Sequence, residues 1–361
     1  MKKHSVWYTA AVIALWILLS LLAWILPAKD ISEAERRPLE QFPSVTLSDV
    51  LSGRFMEKFE EYTLDQFPLR DSFRSLKALY SRYILAQQDN NGIYVSDGHI
   101  AELGYPLDEG SVNHAVKQFN LVYDLYLTES NRIYAAVVPD KGYYLAEPSG
   151  HLSMDYGKLF SVVEAGMPWA EHIDLTDTLT LDDYYRTDTH WRQEAILPVA
   201  QKLADAMDIT VATDYTATAL ERPFRGVYYG QAALPMAAET LYVMENSTLA
   251  DCRVYDFVTD SYTDVYNMDK LYGTDPYDVF LSGAQSLLRL ENPNAATDKE
   301  LILFRDSYAS SLSPLLVQDY ASIALIDIRY IQPQLLGKYV DFEGADVLFL
   351  YSTLVLNKNL I

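Results

Sequence analysis

The chain has 361 residues, of which half are hydrophobic, with 15 glycines, 15 prolines and a single cysteine. This length and composition are typical of a folded protein with a large core rather than of a disordered chain. The 50 acidic residues outnumber the 28 basic ones, giving a net charge of −22, and a field of that sign argues against nucleic acid as a partner.

The first element is an uncharged apolar run, Val6 to Leu26, which is long enough to cross a bilayer as one helix. Lys2 and Lys3 precede it and aromatic residues lie near both of its ends, an arrangement that places the N-terminus in the cytoplasm. We therefore predict a cytoplasmic N-terminus and membrane anchor over residues 1–29, in a single-pass protein whose C-terminal domain is extracellular. A cleaved signal peptide is the alternative, although no clear A-x-A cleavage site follows the run.

Ile31 to Ser44 is charged, contains two prolines and lacks periodicity, so we interpret residues 30–53 as an extended stalk. Residues 54–361 are then expected to form the extracytoplasmic domain. Its first part, Phe55 to Gln88, has apolar residues at helical spacing on either side of Phe67 and Pro68. This pattern predicts two amphipathic helices whose apolar faces turn toward the core, like a lid.

Short apolar runs alternate with helical patterns through the rest of the chain, which is typical of an α/β fold with a mostly parallel sheet flanked by helices. Residues 112–127 predict a helix that packs on the sheet. The stretch from about residue 224 to residue 288 is rich in Tyr, Thr and Asp, and this composition predicts a β-rich insertion. The predicted strands of the sheet are Arg132 to Val138, His172 to Leu175, Leu301 to Phe304, Ile323 to Ile328 and Val347 to Tyr351.

Asp188 and His190 form the first candidate site. Residues i and i+2 of an extended segment point to the same side, so a carboxylate and an imidazole can face one pocket together. The carboxylate would fix the tautomer of the imidazole and stabilise its protonated form. Alone this signal is weak, because a surface histidine beside a helix-capping residue is the ordinary explanation.

Ser307 is the second candidate, because the apolar strand before it and the helical spacing after it place it at a strand-to-helix turn. A hydroxyl there is exposed at the carboxyl edge of a sheet, where N–H groups of the helix N-terminus can stabilise an oxyanion. A helix-capping serine is an equally good interpretation of this segment alone.

These segments together resemble the DHHW proteins and the SGNH-hydrolase-like domains of the alginate O-acetylation proteins. The resemblance rests on DTHW at residues 188–191, on the downstream strand with Asp306, Ser307 and Tyr308, and on further similar segments over most of the chain. It implies an SGNH-hydrolase-like (flavodoxin-like) fold with permuted order, in which Ser307 is the nucleophile, His190 the general base and Asp188 its orienting carboxylate.

The resemblance also implies further contacts for an oxyanion or substrate. The segment from Phe280 to Gln285 resembles a family stretch, with Ala284 where an asparagine is expected. Loss of that side chain would leave the backbone N–H groups of Ser307 and Gly283 as oxyanion donors. The candidates for these contacts are Gly283, Tyr308, Arg305 and Trp191.

We expect an O-acetyltransferase that acts on an exported or cell-wall polysaccharide and receives its acyl group from a membrane-bound O-acyltransferase. An acetyl-esterase with the same triad and an inactive glycan-binding scaffold remain alternatives. The remaining histidines lack paired spacing for zinc, and the acidic run from Asp174 to Asp188 lacks the EF-hand pattern, so we expect no metal or cofactor.

Overall fold

The computed structural model describes residues 2–361, with side chains from Val6 onward. The chain divides into two compact units. The first unit comprises the residues up to Asn90 and a short return segment, Tyr229–Pro235, and the second comprises Asn91–Tyr228 and Met236–Ile361.

The first unit is mainly helical. Within α1, Val6–Ile25 is the one stretch of the described chain that is long and apolar enough to cross a membrane. The elements of this unit are α1 (Lys2–Ile25), β1 (Ile31–Ser32), β2 (Arg37–Pro38), α2 (Leu47–Ser52), α3 (Arg54–Asp65) and α4 (Arg70–Tyr83).

The segment expected to be an extended stalk is instead bonded to the helices that follow it. Arg37 makes two hydrogen bonds to the carboxylate of Asp65, at 2.8 and 2.5 Å, and the Glu40 N–H donates to the same carboxylate at 2.9 Å. Glu35 forms ion pairs with Arg70 and Arg74 on α4. The charges that suggested a solvated stalk are therefore paired partners that fold this segment onto α3 and α4.

The two predicted amphipathic helices exist, but their apolar faces do not both turn toward the core, as we had expected for a lid. Residues Phe55, Phe59 and Tyr62 of α3 pack around the ring of Phe42, with centroids 5.4–6.4 Å apart. The apolar face of α4 is exposed, so the prediction that it faces the core is wrong. Its polar side, with Arg70 and Arg74, makes the contacts that hold the helix.

The second unit is an α/β domain built on one large sheet. Its helices are α5 (Glu109–Tyr126), α6 (Lys141–Leu145), α7 (Tyr156–Gly166), α8 (Leu197–Met207), α9 (Val227–Ala232, which runs across the boundary between units), α10 (Ser247–Asp251), α11 (Ala309–Leu312) and α12 (Thr353–Leu356). Its strands are β3 (Ile93–Ser96), β4 (His99–Glu102), β5 (Ile133–Val138), β6 (Glu171–Ile173), β7 (Thr216–Phe224), β8 (Glu239–Glu245), β9 (Arg253–Asp256), β10 (Ser261–Thr263), β11 (Leu287–Glu291), β12 (Glu300–Arg305), β13 (Ser322–Ile326) and β14 (Asp346–Ser352).

The large sheet has the strand order β10-β9-β11-β13-β12-β14-β5-β6. The five strands from β13 to β6 are parallel, while β11, β9 and β10 extend one edge in antiparallel pairs. Counted from β12, the parallel strands follow the flavodoxin-like order 2-1-3-4-5, with the chain entering the fold at a different point. The predicted α/β class with a mostly parallel sheet is confirmed.

Alternation along the central strands divides the core between the two faces of the sheet. On β12, Leu301 and Leu303 join one apolar cluster, whereas Ile302 and Phe304 join the other. All four side chains are essentially inaccessible to solvent. Strands buried on both faces are expected to be continuous apolar runs, which is why they were recognisable in the sequence.

The insertion is β-rich as predicted, but it has two parts. Strands β9 and β10 extend the large sheet, whereas β8 pairs with β7 in a separate two-stranded ribbon. The ribbon begins at Thr216, ahead of the boundary near residue 224 expected from the sequence.

Candidate active site

Ser307 lies directly after β12, at the carboxyl edge of the parallel sheet. It is partly exposed, whereas its neighbours from Leu301 to Val317 are all buried. We expected a single helix after Ser307. The chain instead forms the short α11 and then a 3₁₀ helix, Ser313–Asp319, which contains Pro314. The hydroxyl is therefore presented to solvent by a rigid, otherwise buried turn.

Asp306 holds this turn in place. One of its carboxylate oxygens accepts the N–H of Tyr308 at 3.0 Å, and the other accepts the N–H of Ser352 at 2.7 Å. Ser352 ends the neighbouring strand β14, and Asp306 is fully buried. Both carboxylate oxygens are thus used to fix the backbone on which Ser307 is mounted.

The three residues predicted to act together are within hydrogen-bond distance of one another. His190 Nε2 lies 2.8 Å from Ser307 Oγ, and His190 Nδ1 lies 2.6 Å from Asp188 Oδ1. Asp188 and His190 are buried, while Ser307 remains partly exposed. This geometry allows the imidazole to donate Nδ1–H to the carboxylate and to accept the serine proton at Nε2.

A tight bend, rather than the extended segment that we expected, brings Asp188 and His190 together. Asp188 Oδ1 also accepts the backbone N–H of His190 at 3.1 Å, the pattern of an Asx turn. The bend is closed on the other side by Tyr185, whose N–H donates to the His190 carbonyl at 3.0 Å.

Three groups from other segments support this bend. Asp188 Oδ2 accepts the N–H of Val227 at 2.8 Å, and the carboxylate of Glu239 accepts the N–H and hydroxyl of Thr187. Gly226 makes the first contact possible, because a Cβ there would lie 2.2 Å from Asp188 Cβ. Sequence reasoning missed both Glu239 and Gly226, since neither carries a local motif.

Lys141 is a buried cation behind the same bend. Its Nζ donates to the carbonyls of Tyr185 and Arg186 at 3.0 and 3.3 Å and lies 5.1 Å from the ring centroid of Tyr228. Burial lowers the pKa of Lys141 to about 7, although the nearby carboxylate of Asp188 opposes this shift.

Tyr277 packs on the face of the His190 ring. The two rings are parallel within 6°, with centroids 3.9 Å apart. The Tyr277 hydroxyl donates to Ser311 Oγ at 2.8 Å, and burial raises the pKa of that hydroxyl well above its usual range. The β-rich insertion therefore supplies one wall of the site, which no signal in the sequence indicated.

Three residues predicted to contact an oxyanion or substrate are structural instead. Trp191, Tyr308 and Arg305 are all 2% exposed or less, so their side chains are sealed from a ligand. Trp191 Nε1 donates to the Tyr308 carbonyl, and the Tyr308 hydroxyl donates to the Thr189 carbonyl. Arg305 donates to Ser310 Oγ at 2.9 Å, and burial lowers its pKa.

The prediction for Gly283 as an oxyanion donor is also wrong. Its N–H donates to the Phe280 carbonyl at 3.1 Å and is therefore occupied in a tight turn. The Tyr308 N–H is likewise taken by Asp306. Ala284 is exposed and has no side-chain donor. Within residues 2–361, the structure gives the N–H of Ser307 itself no acceptor, and a free N–H beside the hydroxyl suits an oxyanion.

Among the described residues, no group of three or more His, Cys, Asp or Glu side chains is placed so that it could hold a metal ion. Cys252 is buried, and burial raises the pKa of its thiol to about 11, which keeps it protonated at neutral pH.

No protein-family model matches the sequence, and no curated protein sequence matches it significantly. Solved structures do match. The chain has the fold of a DHHW family protein from Eubacterium siraeum, with a TM-score of 0.60 and 21% identity over 74% of this chain and 93% of that one. The expected resemblance in fold is confirmed.

Two structures of PatB1 from Bacillus cereus share the fold as well. The one with a sulfonyl adduct has a TM-score of 0.58 and 16% identity over 74% of this chain and 97% of that chain. The other has a TM-score of 0.54 and 17% identity over 75% and 99% of the two chains.

Proposed function

We propose that this protein is a membrane-anchored, extracytoplasmic O-acetyltransferase that modifies an exported or cell-wall polysaccharide through Ser307, His190 and Asp188. The observation that carries the proposal is the continuous hydrogen-bonded chain from Ser307 Oγ through the His190 ring to Asp188. The resemblance of the sequence to alginate O-acetylation proteins and the fold shared with PatB1 support it.

In the proposed reaction, Ser307 Oγ attacks the carbonyl carbon of the acyl donor and its proton passes to His190 Nε2. Asp188 stabilises the resulting imidazolium, and the Ser307 N–H faces the developing oxyanion. The leaving group departs with the proton from His190, which leaves an acyl ester on Ser307. A sugar hydroxyl then attacks this ester and gives its proton to His190, which returns it to Ser307 Oγ.

The first test is turnover of an acetyl-ester probe by the purified full chain. Ser307→Ala should lower kcat/KM at least about a thousandfold, because the variant loses the nucleophile. Ser161→Ala, at an exposed serine of α7, is the matched control and should keep full activity. Equal rates for wild type and Ser307→Ala would overturn the proposed triad.

The second test identifies the nucleophile directly. A sulfonyl fluoride should modify the protein once, and peptide mass spectrometry should locate the adduct at Ser307. PatB1 has been solved with a sulfonyl adduct. Modification that persists in Ser307→Ala would assign the reactive hydroxyl elsewhere.

An esterase uses the same three residues but lets water resolve the acyl-enzyme, and an inactive scaffold would not turn over at all. Polymer acetylation in cells that lack the protein separates these functions. Acetylation should fall if the protein is a transferase and rise if it is an esterase. Unchanged acetylation together with an inert Ser307 would favour a scaffold.

We further propose that α1 is an uncleaved anchor and that the acyl group arrives from a membrane-bound O-acyltransferase. Acetyl-coenzyme A is cytoplasmic, and α1 has no charged residue between Val6 and Ile25 that could relay an acetyl group. Protease added to intact cells should digest the C-terminal domain. A soluble mature protein that begins near Asp30 would instead identify a signal peptide.

A further inference from the structure

An unpartnered apolar stripe lies along α4. Five large side chains form it at positions i, i+3, i+7, i+10 and i+11, which share one face of a helix. Their exposed fractions are Phe73 42%, Leu76 61%, Tyr80 52%, Tyr83 69% and Ile84 67%. A stripe of this spacing normally faces a protein core, so its exposure indicates a docking surface.

The polar contacts of α4 fix the direction in which the stripe faces. Arg70 and Arg74 pair with Glu35, and Arg74 also donates to the Gly230 carbonyl at 2.9 Å. Ala78 and Ser81, on the side of the helix away from the stripe, are buried. Rotating the stripe inward would break these ion pairs, so the helix is held with its apolar face outward.

The corner between α3 and α4 is bonded to the chain just beyond α1. Gln66 accepts the Lys29 N–H at 2.9 Å and donates to the Lys29 carbonyl at 2.9 Å. Lys29 comes four residues after Ile25, where α1 ends. The 20 residues Val6–Ile25 span about 30 Å as a helix, the thickness of the hydrocarbon core. Lys29 and the corner bonded to it would then lie at the headgroup layer.

The two units differ in net charge. The first unit contains 11 of the 28 basic and 11 of the 50 acidic residues; without Lys2 and Lys3, which the proposed topology places in the cytoplasm, it carries a charge of −2, against −22 for the second unit. An anionic lipid surface repels a body of charge −22 much more strongly than one of charge −2. Exposed Lys77 lies beside the stripe, and tyrosines such as Tyr80 and Tyr83 are favoured at membrane interfaces.

We propose that the α4 stripe binds the headgroup region of the membrane that α1 spans, so that the first unit lies on the lipid surface as an amphipathic interfacial element. This inference rests on the proposed anchoring of α1. It does not depend on the chemistry at Ser307.

The test uses the full chain reconstituted in vesicles of phosphatidylcholine and phosphatidylglycerol, with Cys252→Ala as background. An environment-sensitive fluorophore is attached at Tyr83→Cys or, separately, at Leu76→Cys. The matched control is Tyr272→Cys, because Tyr272 in the second unit is 70% exposed and Tyr83 is 69% exposed. Circular dichroism checks that each variant is folded.

The stripe labels should emit at shorter wavelength, lose quenching by aqueous iodide and gain quenching by lipids that carry a shallow spin label. The Tyr272 label should remain accessible to iodide. Suppose that the protein floats with the vesicles but iodide quenches the labels at Leu76 and Tyr83 as strongly as the label at Tyr272. That result overturns the proposal that the stripe binds lipid and leaves the anchor intact. Protection from both quenchers points to a second copy of the chain and also overturns the lipid proposal. Failure of the full chain to float with vesicles overturns the anchor and the stripe together.

Discussion

The phenol ring of Tyr277 lies parallel to the imidazole ring of His190, 3.9 Å away between centroids. Tyr277 is buried and its hydroxyl is tied to Ser311, so the imidazole rests on a fixed surface. The contact restrains rotation of the ring between Asp188 and Ser307. It gives the β-rich insertion a role in orienting the base of the proposed triad.

We expect Tyr277→Leu to lower kcat about three- to tenfold with little change in KM, since an aromatic pair contributes about 0.5–1.5 kcal/mol. Tyr277→Phe keeps the ring and removes only the hydrogen bond to Ser311, so it should restore most of the loss. Steady-state kinetics with an acetyl-ester probe checks both variants. If Tyr277→Phe were as impaired as Tyr277→Leu, the hydrogen bond rather than the stacked ring would be responsible.

The residues found from the sequence are those whose signals are local. Ser307 follows a continuous apolar strand, and Asp188 and His190 lie within three residues of each other, so short patterns and a family resemblance locate them. The same applies to the parallel strands, because burial on both faces makes them uniformly apolar.

The supporting residues were missed because their roles depend on contacts between distant segments. Gly226 and Tyr277 approach the bend at Asp188 and His190 from the insertion, and nothing around them in the sequence marks that approach. The predicted roles of Arg305 and Trp191 failed for a related reason. Proximity in sequence to Ser307 and His190 does not say which side chains turn toward solvent, and these two turn inward.

Gly226→Ala should damage the site without any change to the triad residues. The added Cβ would lie 2.2 Å from Asp188 Cβ and 2.3 Å from its Cα, so one backbone must move. Movement would break the bond from the Val227 N–H to Asp188 Oδ2. We expect kcat to fall and the free energy of unfolding to drop by about 1–3 kcal/mol.

Gly157→Ala is the matched control for this substitution. Gly157 lies in α7, and a Cβ there would meet its nearest neighbour, Asp155 Oδ1, at an ordinary 3.6 Å. Alanine favours a helix over glycine by up to about 1 kcal/mol, so the control should be neutral or slightly stabilised. Chemical denaturation and probe kinetics compare the pair, and equal behaviour would contradict the packing argument at Gly226.

Lys141 should give the protein a stability that depends on pH. Its pKa is lowered to about 7 in the folded chain from an ordinary value of 10.5. Between these values the unfolded chain binds more protons at this residue, so its contribution to stability rises with pH across that window. Below pH 7 both states are protonated and the cost of burying the charge is at its maximum.

The difference in unfolding free energy between wild type and Lys141→Met isolates this titration. It should shift in favour of the wild type from pH 7 to 10, with a slope of up to about 1.4 kcal/mol per pH unit. Lys117→Met, at an exposed lysine of α5, is the control and should show no such slope. A difference for Lys141→Met that is flat with pH would mean that the buried ammonium does not titrate in this range.

Asp306→Asn tests whether the carboxylate beneath Ser307 is required as a double acceptor. Each oxygen of Asp306 accepts one backbone N–H, from Tyr308 and from Ser352. An asparagine amide has only one acceptor oxygen, so its NH₂ group would face one of these donors in a fully buried position. We expect a loss of about 1–3 kcal/mol in stability, and a fall in kcat because the turn that carries Ser307 relaxes.

Asp341→Asn is the matched control, because Asp341 also accepts a backbone N–H, from Glu343, but is exposed. Its stability should change by less than about 0.5 kcal/mol. Wild-type activity in a folded Asp306→Asn protein would show that Ser307 is positioned without this carboxylate.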